Sequence, residues 1–424
     1  MAFYRRLRLA LVCIGTACSA VSQTRAGDDA AFAALTGDWG GVRTSLKERG
    51  LQFTGDYALE FFGNPSGGRR QGAVVDGLLR LFLDVDLERT LGWHGGTFRV
   101  SGLYAHGTSG SLRNVGDLSF FSSLDAYDGA RVLDFWFEQH LFEEKLALRI
   151  GQMPVDTEFG VSDVASLFLN ASYGVPSPPI TPMPFAAYPV SALGVQLRVE
   201  PVKGLYGKAG LYDGNPSPGD FPDPSDGVTR PAQRYGTDWA FRSSEGALWA
   251  GELGYQRTDG AHPGNYRIGA LHHTDDFADV RSAFAGTTYR GASSVYGVID
   301  QTLWRKSAES NESLAGFIRG TRAGKKTSLM SDSFQMGAVY TGLFATADKL
   351  GVAFVRNTFS PGQLTVIHGR TYEPDHETIA ELTYQIPLRP YLRILPDLQY
   401  ISHPGGTPAY PNAWVLGVRA ILDF

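Results

Sequence analysis

Beyond Cys18 the chain has no cysteine; Cys13 and Cys18 are its only two. The rest of the protein therefore offers no disulfide, no thiolate metal site and no cysteine nucleophile. No apolar run of the length that spans a bilayer as a helix follows the first twenty or so residues. Basic charge is also short: 38 Lys and Arg stand against 43 Asp and Glu, a formal net charge of −5. Phosphate binding wants a basic face, so nucleic acid is excluded as a partner. Enzyme signatures are missing as well, with no P-loop, no Gly-x-Ser-x-Gly and no His-Glu-x-x-His. His272-His273-Thr274-Asp275-Asp276 has the composition of a metal cluster. Adjacent residues of a strand point to opposite faces, however, so a place on the rim beside an external loop is expected instead. Glu143 and Glu144 are neighbouring carboxylates in a turn, and nothing around them marks a glycosidase. Neither catalytic residues, nor a metal, nor a cofactor is expected.

What is present begins with an export signal over residues 1–26. Arg5, Arg6 and Arg8 form a positive n-region, Leu9 to Ala20 is a short apolar h-region, and small residues allow cleavage after Ala20 or Ala26. Cys18 reads poorly as a lipoprotein site, because Gly15 stands where such a signal wants Leu. Those 26 residues hold four arginines and no acid, so the formal charge of the remainder is −9 rather than −5.

The mature part carries 51 Gly, counted over the full chain, and 12% aromatics. Its mean hydropathy is slightly negative, which is compatible with a membrane barrel whose strands are apolar only at alternate positions. In 51–61, Leu51, Phe53, Tyr57, Leu59 and Phe61 fall on one face, and Gln52, Thr54, Asp56 and Glu60 on the other. Residues 79–88 repeat the pattern. Similar stretches recur near 97–106, 130–142, 146–153, 191–200, 205–213, 247–257, 265–274, 292–305, 313–322, 334–345, 349–358, 377–386, 391–402 and 412–424, sixteen in all. Most have the length of a tilted strand crossing a bilayer core.

The connections alternate. Long ones are read at 63–76, 107–129, 154–190 and 214–246. Short ones are read at 92–96, 143–145, 201–204, 258–264, 346–348 and 387–390. A soluble sandwich has no reason to alternate in this way, whereas a transmembrane barrel has one rim in the periplasm and one outside. The fold class predicted is all-β: a closed, antiparallel, up-and-down barrel of sixteen strands over 51–424, with both termini at the periplasmic rim. The short turns should all share that rim. The last stretch alternates through Trp414, Leu416, Val418, Ala420 and Leu422 to a terminal Phe424, which resembles the signal that outer-membrane assembly machinery reads. Segment 27–50 is read as a periplasmic lead-in with one short helix. Asp38 would be its N-cap, Gly50 its C′ residue, and Trp39, Val42 and Leu46 one face.

The sequence resembles the OprB-type carbohydrate-selective porins along nearly the whole mature chain. The resemblance is carried by Leu35-Thr36-Gly37-Asp38-Trp39-Gly40-Gly41-Val42-Arg43, Leu148-Arg149-Ile150-Gly151-Gln152, Tyr188-Pro189 with Ala192-Leu193-Gly194, and Gly210-Leu211-Tyr212-Asp213-Gly214-Asn215. Further on it includes Tyr266-Arg267-Ile268-Gly269 and Pro396-Asp397-Leu398-Gln399-Tyr400-Ile401 with Pro404-Gly405-Gly406. It implies a Gram-negative outer-membrane channel that admits mono- or small oligosaccharides to the periplasm. A general diffusion porin for small hydrophilic solutes is the alternative, and a barrel hydrolase a more distant one. Outer-membrane lipid and the assembly machinery are the implied surroundings, and a homotrimer is left open.

Sixteen strands enclose a water-filled lumen that must be narrowed to select. Loop 154–190 is the candidate constriction. It holds Pro176, Pro178, Pro179, Pro182, Pro184 and Pro189, which stiffen it. Phe168, Tyr173, Phe185 and Tyr188 could stack on sugar rings, unless the loop is an external cap. Inward positions should include Arg80, Asp84, Arg99, Asp134, Glu138, Arg149, Arg198, Lys208, Glu252, Arg267, Glu381, Asp397 and Gln399. Mixed charge suits hydroxyls, which both donate and accept, although any wet barrel carries some.

Overall fold

The computed structural model describes residues 34–126, 128–174, 186–216, 221–222, 229–230, 235–237, 239–307 and 310–424. The export signal, Phe185 and the prolines from Pro176 to Pro184 lie outside the described residues.

Sixteen antiparallel strands close one barrel. They are β1 (Leu51–Ser66), β2 (Gly72–Asp86), β3 (Gly96–Gly107), β4 (Gly129–Leu141), β5 (Leu146–Met153), β6 (Ala192–Val202), β7 (Leu205–Asp213), β10 (Ala247–Arg257), β11 (Gly264–Ala278), β12 (Thr288–Arg305), β13 (Ser313–Ala323), β14 (Met330–Thr341), β15 (Lys349–Phe359), β18 (His376–Arg389), β19 (Leu392–Ser402) and β20 (Ala413–Asp423). Each strand pairs with the next, and β1 pairs with β20 through Asp56↔Asp423 and Glu60↔Arg419. No edge is left to be satisfied by lipid, which cannot hydrogen-bond it. Two small hairpins, β8 (Phe221–Pro222) with β9 (Thr229–Arg230) and β16 (Thr365–Ile367) with β17 (Arg370–Tyr372), stand apart in the long connections.

The period-2 pattern decides what each face meets. Leu59, Leu81, Leu253, Ile268, Val352 and Leu416 point outward and are exposed, while Glu60, Glu252, Arg267, Arg319, Glu381 and Gln399 point inward and are buried. That arrangement inverts a soluble protein and is the one a bilayer stabilises. All the expected short turns share one rim with the lead-in segment and the C-terminus. There Leu35 donates its N–H to the carbonyl of Asp423 at 2.8 Å, and Phe424 donates to that of Gly55 at 2.9 Å.

Three local readings are corrected. Connection 63–76 is not long: the ladder continues through Phe62↔Val74 and Asn64↔Gly72, leaving 67–71 as the turn. Gly67 and Gly68 have φ of +73° and +72°, a conformation glycine adopts without penalty. The Asn64 amide closes the turn on the carbonyls of Gly67 and Arg70. The turn read at 387–390 sits later, because β18 runs to Arg389 and tolerates Pro387 beside a bulge. In the lead-in, the helix spans Val42–Glu48 and Trp39 lies before it in a separate turn, Trp39–Gly41. Gly41, not Asp38, is the residue that caps it, although Asp38 accepts from the N–H and hydroxyl of Thr44 at 2.8 Å each; Gly50 follows the helix with φ +88°. Arg43 ties that helix to the carbonyls of Phe53 and Phe424 at 2.9 and 2.6 Å, joining the first and last strands.

Candidate functional site

Every inward assignment made from alternation faces the lumen, but the lumen has two unlike sides. The difference comes from the external loops. After β5 the chain turns into the barrel instead of covering it, and its backbone meets inward side chains on strand after strand. Gly160 donates its N–H to Glu252 on β10 at 2.9 Å, and its carbonyl accepts from Arg319 on β13 at 3.0 Å. The Ser162 hydroxyl donates to Asp300 on β12 at 2.5 Å. The N–H groups of Leu169 and Asn170 both donate to Glu381 on β18, at 2.5 and 3.1 Å. The Asn170 amide reaches Gln399 on β19 at 3.0 Å. The Ser172 carbonyl accepts from Arg319 and from Gln335 on β14.

Glu252, Asp300, Arg319, Gln335 and Glu381 thereby satisfy loop backbone groups that burial would otherwise leave unpaired. The loop also carries a small core: Phe168 and Tyr173 lie 5.1 Å apart, and each is 6.0 Å from Phe317. The connection between β3 and β4 joins it. Glu377 accepts from the N–H groups of Leu118 and Ser119, Ser122 donates to Glu60, and Ser123 donates its N–H to the Leu169 carbonyl.

On the β2–β7 side several inward charged groups stay partly exposed to the lumen, although Asp134 is buried. They are pairs: Arg80 with Asp56 at 2.6 Å, Arg99 with Asp84 at 2.6 Å, and Arg198 with Glu200 at 2.9 Å. Arg149 holds Glu138 and the loop residue Glu158, each at 2.8 Å, and Lys208 contacts Glu158 at 3.4 Å. Burial alone would push the Glu158 carboxyl up, but Arg149 and Lys208 hold it down at about 2. The two cations thus favour its charged form and hold it against the wall. The guanidinium of Arg149 lies 4.3 Å from the centre of the Trp136 ring, and that of Arg198 lies 4.9 Å from Tyr206. Aromatic faces thus hold the cations flat and pointed along the wall.

The predicted site residues separate accordingly. Arg80, Asp84, Glu138, Arg149, Arg198 and Lys208 are brought together along one wall. Asp397 and Gln399 face inward but are covered: Gln399 is 0% exposed and bonded to Asn170 and the Phe121 carbonyl. Asp134 is buried on Ser101. The rings expected to stack on sugars are corrected to a structural place. Phe168 and Tyr173 form the loop's own core, and Tyr188 is buried with its hydroxyl on the Leu124 carbonyl at 3.0 Å. Glu158, Trp136 and Tyr206 were missed. Trp136 and Tyr206 share parity with Glu138 and Lys208, and an aromatic ring in a polar stripe was the available signal.

His272 and His273 point to opposite faces. His273 is buried on the Gly214 carbonyl, and His272 is exposed beside Ser293. No group placed to hold a metal ion occurs among the described residues.

Residues 70–424 match the family described as carbohydrate-selective porin, OprB family. Porin B of Pseudomonas aeruginosa is 27% identical over 425 residues, covering 91% of this chain and 90% of its own. The high-pH structure of Pseudomonas putida OprB superposes with a TM-score of 0.81 at 23% identity, covering 92% of this chain and 98% of that one. The low-pH structure of the same protein gives 0.57 at 19% identity with the same coverage.

Proposed function

Because the chain belongs to the carbohydrate-selective porins of the OprB family, we propose that sugars cross it between the inserted loop and the β2–β7 wall. It is a porin of the Gram-negative outer membrane, and carbohydrate is its solute. The observation that carries the route is the asymmetry of the lumen. One side is sealed by loop backbone bonds to Glu252, Arg319 and Glu381 and by the Asn170 amide on Gln399, and the other presents Arg80, Arg99, Arg149 and Arg198 with their carboxylates. A hydroxyl can donate to the carboxylate and accept from the guanidinium of one pair, replacing the water it loses. The pairs are nearly neutral in sum, so they favour polar solutes without drawing ions of one sign. The channel is passive, and no residue is assigned a catalytic role.

Liposome swelling is the test. Monosaccharides should enter faster than amino acids and salts of matched size, and equal rates would make this a general diffusion porin.

Assembly is part of the same reading. Phe424 ends the outward apolar stripe of β20, and its carbonyl is held by Arg43. Phe424→Ala is expected to lower the amount of heat-modifiable barrel in the outer membrane severalfold while leaving the conductance of each inserted channel unchanged. Wild-type amounts would show that the assembly machinery does not read this residue.

A further inference from the structure

The outward face is apolar almost everywhere, and its exceptions are clustered. In the external halves of the barrel strands, the outward-facing Arg, Lys, Asp or Glu side chains that reach solvent are Asp276, Arg290, Arg322, Asp332 and Arg356. They occupy five consecutive strands, β11 to β15. Lys325 and Lys326 follow in the connection above β13, so the patch is basic on balance. Among the described residues, the rest of the circumference exposes none in that zone.

Height gives the patch its meaning. Arg356 is the register partner of Phe334, which is 46% exposed, and Arg322 that of Val295, which is 53% exposed. Both arginines therefore stand where the apolar band ends. The lower border is marked by Trp304 stacked on Tyr340 at 6.2 Å. From Tyr340 up β14 to Asp332, opposite Arg322, the rise is about 20 Å after tilt, close to the ~25 Å height of an outer-membrane apolar band. The headgroup layer of the outer leaflet begins at that level.

The side chains have donors to offer there. Arg356 and Arg290 make no hydrogen bond or ion pair with any described residue. Arg322 gives only Nε to Asp332, at 2.8 Å, and its side chain is 74% exposed. A guanidinium with its fork unused, held at the border between hydrocarbon and water, matches a phosphate monoester.

We propose that the outward patch of Arg290, Arg322, Arg356 and Lys325 is a binding site for the phosphate groups of a phosphorylated outer-leaflet glycolipid. It lies on the outside of the wall and is independent of the route taken by sugar. Asp332 orients Arg322, and the exposed Phe334 and Phe354 below take the acyl chains.

The test is native mass spectrometry of the detergent-extracted barrel with diphosphorylated lipid A as the probe. Dephosphorylated lipid A of the same acyl pattern and inorganic phosphate serve as controls. Retention should fall about fivefold for each arginine removed, in Arg356→Gln and then in Arg322→Gln/Arg356→Gln. Arg257→Gln, at the periplasmic end of β10, should change nothing. Arg356 has no partner within the described protein, so its single variant keeps the fold, and liposome swelling should stay at the wild-type rate. Equal retention by the double variant overturns the proposal. So does equal retention of dephosphorylated lipid A, which would mean acyl contacts alone, or displacement by millimolar inorganic phosphate, which would mean a free-phosphate site.

Discussion

Arg149→Ala should abolish sugar block of the ion current and turn the channel toward cations. Arg149 is the shorter of two charged links between the wall and the loop, with Glu138 on β4 and Glu158 on the loop each at 2.8 Å, against 3.4 Å for Lys208. Breaking a largely buried ion pair by removing one partner costs roughly 3 kcal/mol or more, because the remaining charge is left without compensation. Here two carboxylates are left, with Lys208 the remaining cation near Glu158 at 3.4 Å. The foot of the loop should loosen, and the narrow zone should gain negative charge. In a potassium chloride gradient the reversal potential should move to the cation side, and glucose should no longer reduce the current. Arg149→Lys should restore the charge but not the fork, giving an intermediate block. An unchanged reversal potential together with unchanged sugar block would remove Arg149 from the route.

Deleting residues 157–173 and bridging the gap with a short Gly-Ser linker should raise single-channel conductance roughly threefold or more, toward that of an open sixteen-stranded lumen. The segment fills one side of the barrel, where Glu252, Asp300, Arg319, Glu381 and Gln399 all bond to it. These groups are inward-facing, so water can solvate them once the loop is gone and the barrel itself should survive. The closure pairing of β1 with β20 does not involve the loop. Heat-modifiability in gels checks that the barrel is intact, and planar-bilayer recording reads the conductance. Wild-type conductance in a correctly folded deletion variant would mean that another segment sets the narrowest point.

The barrel was legible because its rule is local. Leu59 and Glu60 are neighbours with opposite surroundings, and that alternation, repeated sixteen times between long and short connections, specifies both faces and both rims. Turns were less legible where strand and turn chemistry overlap. Pro65 and Gly63 interrupt the apolar stripe of β1, so the ladder's continuation to Asn64↔Gly72 was hidden until Gly67 and Gly68 were seen to turn.

The site was half legible for a different reason. Parity places Asp397 and Gln399 inward as surely as Arg80 and Arg149, but it cannot say what covers them. Asn170 covers Gln399 across 229 positions of chain, and no periodicity reports on a contact of that range. The same gap misplaced Phe168 and Tyr173. Aromatic rings on a loop suit a sugar and suit a core equally well, and here Phe317, on the opposite wall, decides for the core.

The most direct measurement is single-channel current through the wild-type barrel, titrated with glucose and with a linear polyol of equal viscosity. A saturable, partial block by glucose in the millimolar range is expected, because the paired wall binds hydroxyls weakly enough to release them. Arg149→Ala should remove that block while the polyol response stays the same. If glucose lowers the current only as far as the polyol does, sugars pass without touching the wall, and the selectivity ascribed to the wall is contradicted.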